Sequence, residues 1–449
     1  MASLKDILIN NARIIDGTGG PALDRASVLI RDGRISKIIN GDADNAKNSD
    51  SAESTGASLT IDASGKTVLP GLIDMHAHLL SGGFDTLTQD IDSFDFATEK
   101  RALAQMLYWG ITTIYNPVQP LATVRQLRSF VKDNPLNTPR IFVSGPGFTS
   151  PGGWAGSLLP IARVEPQDAA EAEREVNRLA DESVDILKIY YDTQCCAFVS
   201  PLPKLALPIM ERIVATAHRR GLKVMVHAYD NDNHKEAIRA GADIMAHSAV
   251  TAPVDREYID LAKDNRTLYL ATLSVYNDAF DEESLRAFIA QDFVQRSVAR
   301  PTLDSLGEDG PFGSFLKSVK QDYLENQLPT IKDNLVRVFE SGIQVGVGPD
   351  TGVMGAFPGI SVHREMELMV QAGVPASAVL KAASSTTAGY LGLDGLGTVE
   401  EGNTADLVIV NGNPLDDIRN TRNIEMVIKE GRVVDRDLLS REFLSPREA

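Results

Sequence analysis

The stretch Thr67–Leu80 reads TVLPGLIDMHAHLL: an apolar run of strand character, a Pro-Gly break, and His76-Ala77-His78 at its end. In an extended strand successive side chains alternate faces, so residues two apart point the same way. His76 and His78 are therefore placed to aim at one metal ion, and neutral imidazole is the commonest protein metal ligand. Two surface histidines would show the same pattern, so the metal reading depends on remote partners. Barrel folds of the α/β class present their chemistry at strand C-terminal ends. The fold question is then whether other strands in the chain end in the same way.

Outward from this stretch, short apolar strands alternate with helical segments from residue 71 to about 390. The strands are expected at Gly71–His76, Thr112–Tyr115, Arg140–Ser144, Ile186–Tyr190, Lys223–His227, Asp243–His247, Thr267–Leu273 and Gln344–Gly348. Helices are expected at 98–109, 121–132, 167–181, 204–220, 233–240 and 331–341. Eight strands with intervening helices is the count for a (β/α)8 TIM-like barrel in the α/β class. What ends these strands is chemically ordered. His76 and His78 end the first, Lys188 lies in the fourth, His227 ends the fifth, His247 ends the sixth and Asp350 follows the eighth. Four of the seven histidines thus fall where barrel active sites lie. His218, His234 and His363 fall on helices or loops.

On the N-terminal side, residues 5–15 alternate and break at Asp16-Gly17, and Asp32-Gly33 between two short strands is a strong hairpin signal. Gly41 to Ala57 is polar and reads as a mobile surface loop. On the C-terminal side β character returns in Leu396–Glu400, Ala405–Val410 and Met426–Val434. Both termini are expected to build one small composite β-sandwich, over 1–68 and 391–449, around a barrel spanning 69–390. The segment from Ser274 to Pro329 exceeds a simple barrel connection and reads as a lid or substrate wall over 274–329.

Composition sets the remaining bounds. The 44 Lys and Arg against 61 Asp and Glu give a net charge of -17, which disfavours nucleic acid or an anionic membrane surface as partner. The two cysteines, Cys195 and Cys196, are adjacent, so no disulfide framework is expected and a reducing compartment is. The stretch MASLKDILINNARIIDG has no apolar h-region, and no apolar run approaches spanning length. The expectation is a cytoplasmic protein.

Lys188 is the unusual member of the set, because a cation inside an apolar strand is costly unless its charge changes. One reading has it snorkel or pair with Asp185 or Asp192. The other has its amine held neutral and carboxylated by CO2, giving an anionic carbamate that bridges two metal ions.

PGLIDMHAH after an alternating strand module, the ordered His, Lys, His, His and Asp, and ADLVIVNGNPLDDI near the C-terminus resemble the amidohydrolase superfamily over nearly the whole chain. GPGFTSPGG at 145–153, HKEAIRAGADIMAH at 234–247 and HREMELMVQAGV at 363–374 resemble its Xaa-Pro dipeptidase-like branch. The resemblance implies a distorted (β/α)8 barrel and a binuclear centre with a carboxylated lysine. It implies that His76, His78 and Asp350 hold the more buried metal, that His227 and His247 hold the second, and that Lys188 bridges both. It further implies hydrolysis by a metal-activated hydroxide, with Asp350 taking a proton and passing it to the leaving nitrogen. Two divalent ions are expected, Zn2+ first, although nitrogen and oxygen ligands also accept Co, Mn or Ni. Homo-oligomers are common in this family.

The chain departs from the family's pattern in places. The aspartate motif reads GPD, with Pro349 where Thr is commoner. HAYD follows the fifth strand where many relatives read HAH, so Tyr229 shares the face of His227 and is a candidate to hydrogen-bond substrate, or to pack against the lid. Trp154 in GGWAGS stands where His is commoner and is a candidate to line an apolar pocket. Of Tyr190 and Tyr191, adjacent in one strand, at most one reaches the site.

The leading expectation is hydrolysis of an amide-type C–N bond in a small-molecule substrate, an N-acyl amino acid or dipeptide. Carbamates and phenylureas suit the same centre. A mononuclear deaminase needs a glutamate close after the third histidine, and here the first is Glu236. A non-catalytic scaffold on this fold would have lost metal ligands, and all six positions are filled.

Overall fold

The computed structural model describes residues 6–41, 56–79, 96–157, 162–193, 202–306, 327–353 and 355–444. The loop expected over Gly41–Ala57 and the cysteines Cys195 and Cys196 fall wholly or largely outside these ranges.

All eight strands read from the sequence are present. Seven parallel strands form one sheet in the order Arg163–Val164, Gly147–Phe148, Ile186–Tyr190, Lys223–His227, Ile244–Ala246, Leu268–Leu270 and Val345–Gly346. Leu72–Asp74, Ile111–Asn116 and Arg140–Val143 form a second parallel sheet of three strands. ILKIY, KVMVH, IMA and LYL are buried at nearly every position. A strand covered on both faces needs a continuous apolar run rather than alternation. Met75 N donates to Val347 O, joining the first strand to the last, and Asp185 N donates to Val143 O, joining the third to the fourth.

Helices follow most of these strands, each with an apolar stripe. Ala169–Asp181 buries Ala172, Val176 and Leu179, spaced at 3.6-residue period, and Asp168 caps it by accepting from Glu171 N at 2.8 Å. Asp230 caps Asn231–Arg239 in the same way. Sequence reasoning passed over Arg256–Asp264 and did not place the helix Ile360–Ala372. The second is buried nearly all round, so its apolar stripe has no polar counterpart to reveal the period.

Both termini enter one eight-stranded sheet. Its order is Arg432–Val433, Ile424–Lys429, Leu407–Asn411, Lys66–Pro70, Ile7–Ile14, Leu23–Arg31 and Arg34–Ile39, with Leu59–Asp62 also paired to Ile7–Ile14. The join between the termini is the antiparallel pair Val68 with Ile409 and Leu69 with Val408. Strand alternation divides these residues between two cores. Val68, Leu407 and Ile409 pack with Ile7, Ile9, Val28 and Ile30, whereas Leu69, Val408 and Val410 join the main core. Asp32 and Gly33 both take left-handed backbone angles, as a two-residue hairpin turn requires.

Leu273–Phe280, Glu282–Ile289, Asp292–Ser297 and Arg300–Ser305 fill the described part of the long insertion. No helix among the described residues is long and apolar enough to cross a membrane.

Candidate metal centre

The first strand stops at Asp74, two residues short of His76. The alternation nevertheless continues, because Ala77 forms a parallel bridge with Thr351. Thr351 N donates to His76 O, and His78 N donates to Thr351 O at 2.8 Å. His76 and His78 therefore flank a paired residue and share a face. Their Nε2 atoms lie 3.1 and 3.0 Å from Asp350 Oδ1. Asp74 fixes the turn from below: it accepts from His76 N at 2.9 Å and from the Thr351 hydroxyl at 2.7 Å. The motif that supplies the histidines and the one that supplies the aspartate are thus stitched together through backbone and one buried carboxyl.

The central strands deliver the rest by register. Parallel pairing sets Lys188 beside Met225, Tyr190 beside His227, and His227 beside Ala246, one residue before His247. The rings of His227 and His247 lie 4.5 Å apart, and that of His76 lies 5.2 Å from His247. Lys188 Nζ is 3.5 Å from His76 Nε2 and 3.7 Å from Met225 Sδ. The structure therefore brings His76, His78, Lys188, His227, His247 and Asp350 into one cluster. Ligand-capable atoms of His76, His247 and Asp350 all lie within 4.8 Å of one another.

Lys188 has no acidic partner among the described residues. Asp185 instead accepts from Arg128 and from Val143 N, and Asp192 accepts from Tyr229 N and Asn233. Burial lowers the Lys188 amine to about 7, with the Asp350 charge only partly offsetting it. Burial also keeps His76 and His227 well below the ordinary imidazole range and takes His247 to about 3. Burial pushes the Asp350 carboxyl up, but the facing His76 and His78 outweigh it and hold it well below the usual carboxylate range. Neutral imidazoles beside an ionised carboxylate are a donor set in the protonation state that metal binding needs.

Whether a cation fits can be judged on atoms. His227 Nε2 is buried without a hydrogen-bond partner. His247 Nδ1 lies 2.9 Å from the Thr272 hydroxyl, which fixes the ring and leaves Nε2 toward the cluster. An orphaned imidazole nitrogen among other nitrogen and carboxylate donors fits a divalent ion. His247, Thr272 and Asp350 all hold left-handed backbone angles, with φ of 76, 51 and 59°. Such angles cost on the order of 1 kcal/mol or more in non-glycine residues and gather at functional sites.

Around this cluster stands an aromatic wall. Tyr229 lies 4.7 Å from the His227 ring and stacks on His247 at 5.1 Å. Trp154 stacks on Tyr190 at 5.0 Å and an interplanar angle of 12°, and its ring centre is 4.5 Å from His227. Tyr191 faces away and donates to Glu236, so Tyr190 is the one of the pair that reaches the site. Tyr276, from the first helix of the insertion, closes against Tyr229 at 5.9 Å and His247 at 6.1 Å. Sequence reasoning missed Asp74 as a support, Thr272 and Tyr276. Thr272 was signalled only by its place at the seventh strand's end, and Tyr276 by nothing. His363, near the start of the helix Ile360–Ala372, donates to Trp109 O at 2.9 Å and lies 3.0 Å from the Thr421 hydroxyl, with no ring contact to the cluster among the described residues.

The chain is similar to known proteins over most of its length. The amidohydrolase family profile matches residues 67–434. The ochratoxinase of Aspergillus niger is 23% identical over 457 aligned positions, covering 92% of this chain and 83% of that protein. The L-hydantoinase of Paenarthrobacter aurescens is 28% identical over 158 residues, and the chain spans only 29% of its length. The crystal structure of a Xaa-Pro dipeptidase with bound methionine superposes with a TM-score of 0.74 at 24% identity, covering 95% of this chain and 99% of that one. The match over most of the chain, and the cluster at the strand ends, lead to one conclusion: this chain belongs to the amidohydrolase family.

Proposed function

We propose that this protein is a metal-dependent hydrolase of an amide-type C–N bond, acting on an N-acyl amino acid or dipeptide-like small molecule. The observation that carries the reading is Lys188: a fully buried amine without an acidic partner among the described residues, 3.5 Å from His76 Nε2 and grouped with four histidines and Asp350. In this reading His76, His78 and Asp350 would hold one divalent ion, His227 and His247 would hold a second, and Lys188, once carboxylated by CO2, would supply oxygen donors to both. On the same reading the neutral amine attacks CO2, a C–N bond forms and one proton leaves to solvent, so a buried neutral amine becomes an anion with two donor oxygens. Zn2+ is the first candidate for both sites. When bound, such ions supply a low-pKa water and polarise a carbonyl oxygen.

The chain's own residues then do the proton work and the positioning. Asp350 accepts a proton and returns it to the leaving nitrogen. Tyr229, stacked on His247 and beside His227, donates its phenol to the substrate. Trp154 and Tyr190 form a flat apolar wall that favours an aryl group next to the scissile bond, which keeps phenylureas and aryl carbamates as the second reading. Deamination on a mononuclear centre is disfavoured by the occupation of Glu236, which is held by Tyr191 at 2.6 Å and Lys204 at 2.8 Å.

The architecture belongs to the same reading. The first-to-last and third-to-fourth strand hydrogen bonds support closure into a (β/α)8 barrel over 69–390. The shared sheet supports a composite β-sandwich module from 1–68 and 391–449. A cytoplasmic, homo-oligomeric protein completes the proposal. The deciding test is metal content per chain on protein grown with zinc and purified without chelator, followed by a screen of N-acyl amino acids, dipeptides, carbamates and aryl ureas. Near two ions per chain with turnover of one of these classes is expected. Active protein with no metal overturns the reading.

A further inference from the structure

Three separate segments meet around a cavity of about 420 Å3 whose lining includes none of the metal-site residues. The end of the helix Phe96–Tyr108 and the residue after it supply Tyr108 and Trp109, the insertion supplies Phe293 and Arg296, and the terminal module supplies Arg422 and Arg436. The rings form its apolar side: Trp109 packs edge-on against Tyr108 at 5.4 Å and against Phe293 at 5.7 Å. Two guanidinium planes lie on those rings, Arg436 over Tyr108 at 4.1 Å and Arg422 over Phe293 at 4.6 Å. A stacked guanidinium keeps its N–H donors at its edges, where they suit a planar anion with two oxygens.

Close ion pairs are few at this cavity, with Glu425 and Asp437 acting on Arg436 and Glu367 and Asp417 acting on Arg422. In a chain with a net charge of -17, three arginines converge here. Among the described residues Arg296 and Arg436 have no ion-pair partner. Arg436 donates instead to the carbonyls of Tyr108 and Ile424. Arg422 approaches one carboxylate, Glu367, at 3.6 Å, and Glu367 is shared with Arg364 at 3.5 Å. Trp109 also lines the cavity, and its buried indole nitrogen has no hydrogen-bond partner among the described residues.

We propose that this cavity is a second small-molecule site, separate from the metal cluster, which binds an aryl carboxylate through Arg296, Arg422 and Arg436 with its ring against Tyr108, Trp109 and Phe293. The inference does not depend on which bond the metal cluster cleaves.

The two tryptophans of the chain make the test direct, because Trp109 lines this cavity and Trp154 the metal cluster. Metal-loaded Trp154→Phe protein reports this cavity alone, and metal-loaded Trp109→Phe reports the other. Titration with benzoate should give a saturable change in Trp109 emission. Arg422→Gln, and separately Arg296→Gln at an exposed position whose loss spares the core, should each weaken it by tenfold or more. Inorganic phosphate should bind at least tenfold more weakly than benzoate. No saturable Trp109 response, an equal response to phosphate, or unchanged benzoate binding in Arg296→Gln overturns the proposal.

Discussion

Lys188 Nζ stands 3.5 Å from His76 Nε2, inside a strand where no described acid pairs with it. A permanently charged amine there would bear the full desolvation penalty, several kcal/mol for an unpaired ion. Burial already takes this amine to about 7, where the neutral form is well populated near neutral pH. If its role is to carry a bridging carbamate, Lys188→Ala should lose metal and activity together, by on the order of a hundredfold or more. Adding a short carboxylic acid with metal should restore part of both. Full activity in that variant would sink the carbamate.

Thr272 tests how the ring of His247 is held. Its hydroxyl lies 2.9 Å from His247 Nδ1, and the residue adopts φ of 51° at the N-terminus of the first insertion helix. Thr272→Val keeps the β-branched shape and removes the hydrogen bond. Loss of a partner of this kind costs about 10–100-fold in metal affinity. Competition with a chelator of known affinity measures it; an unchanged affinity means that the ring is held by packing alone.

The eight strands and the six clustered residues were legible because each carries a strong local signal. Buried parallel strands read as apolar runs such as KVMVH, and histidines at their ends break the pattern visibly. The amidohydrolase resemblance, drawn from PGLIDMHAH and ADLVIVNGNPLDDI, is borne out by the family match over 67–434. What stayed hidden depends on three-dimensional neighbours. Thr272 works through a positive φ and one hydroxyl, neither of which has a sequence signature. Asp74 sits within the quoted stretch, yet its role comes from Thr351, 277 residues away. The arginine-lined cavity joins residues from 108 to 436, and no window of sequence contains it.

His363 sets a pH dependence of stability. It is buried, its Nε2 donates to Trp109 O and its Nδ1 lies 3.0 Å from the Thr421 hydroxyl, and burial lowers it from 6.5 to about 4. Between those values the unfolded chain binds the extra proton and the folded chain does not. Stability is therefore fully present above about 6.5 and is lost as pH falls toward 4, by about 3 kcal/mol for this residue. Glu365 acts with the opposite sign: burial raises it to about 7, so its protonation as pH falls favours the folded chain. His363→Gln keeps a donor for Trp109 O without a titrating ring. Denaturant unfolding at several pH values should show a flatter acid limb in the variant. Parallel curves would mean that His363 takes up its proton without unfolding.

Trp154 offers the sharpest test of substrate class. Its ring stacks on Tyr190 at 5.0 Å and stands 4.5 Å from His227, so any acyl or aryl group beside the metal cluster meets this face. An aromatic pair is worth about 0.5–1.5 kcal/mol beyond the area it buries. Adding the apolar area itself, Trp154→Ala should raise KM for an aryl amide or phenylurea by roughly tenfold or more. For a small aliphatic N-acyl amino acid the same change should move KM by much less, because the wall extends beyond the reach of a short side chain. The ratio of the two effects is the informative quantity, since general loosening of the site would raise both together. Equal losses on aryl and aliphatic substrates would leave Trp154 as a packing residue for Tyr190 and return the choice of substrate to the insertion.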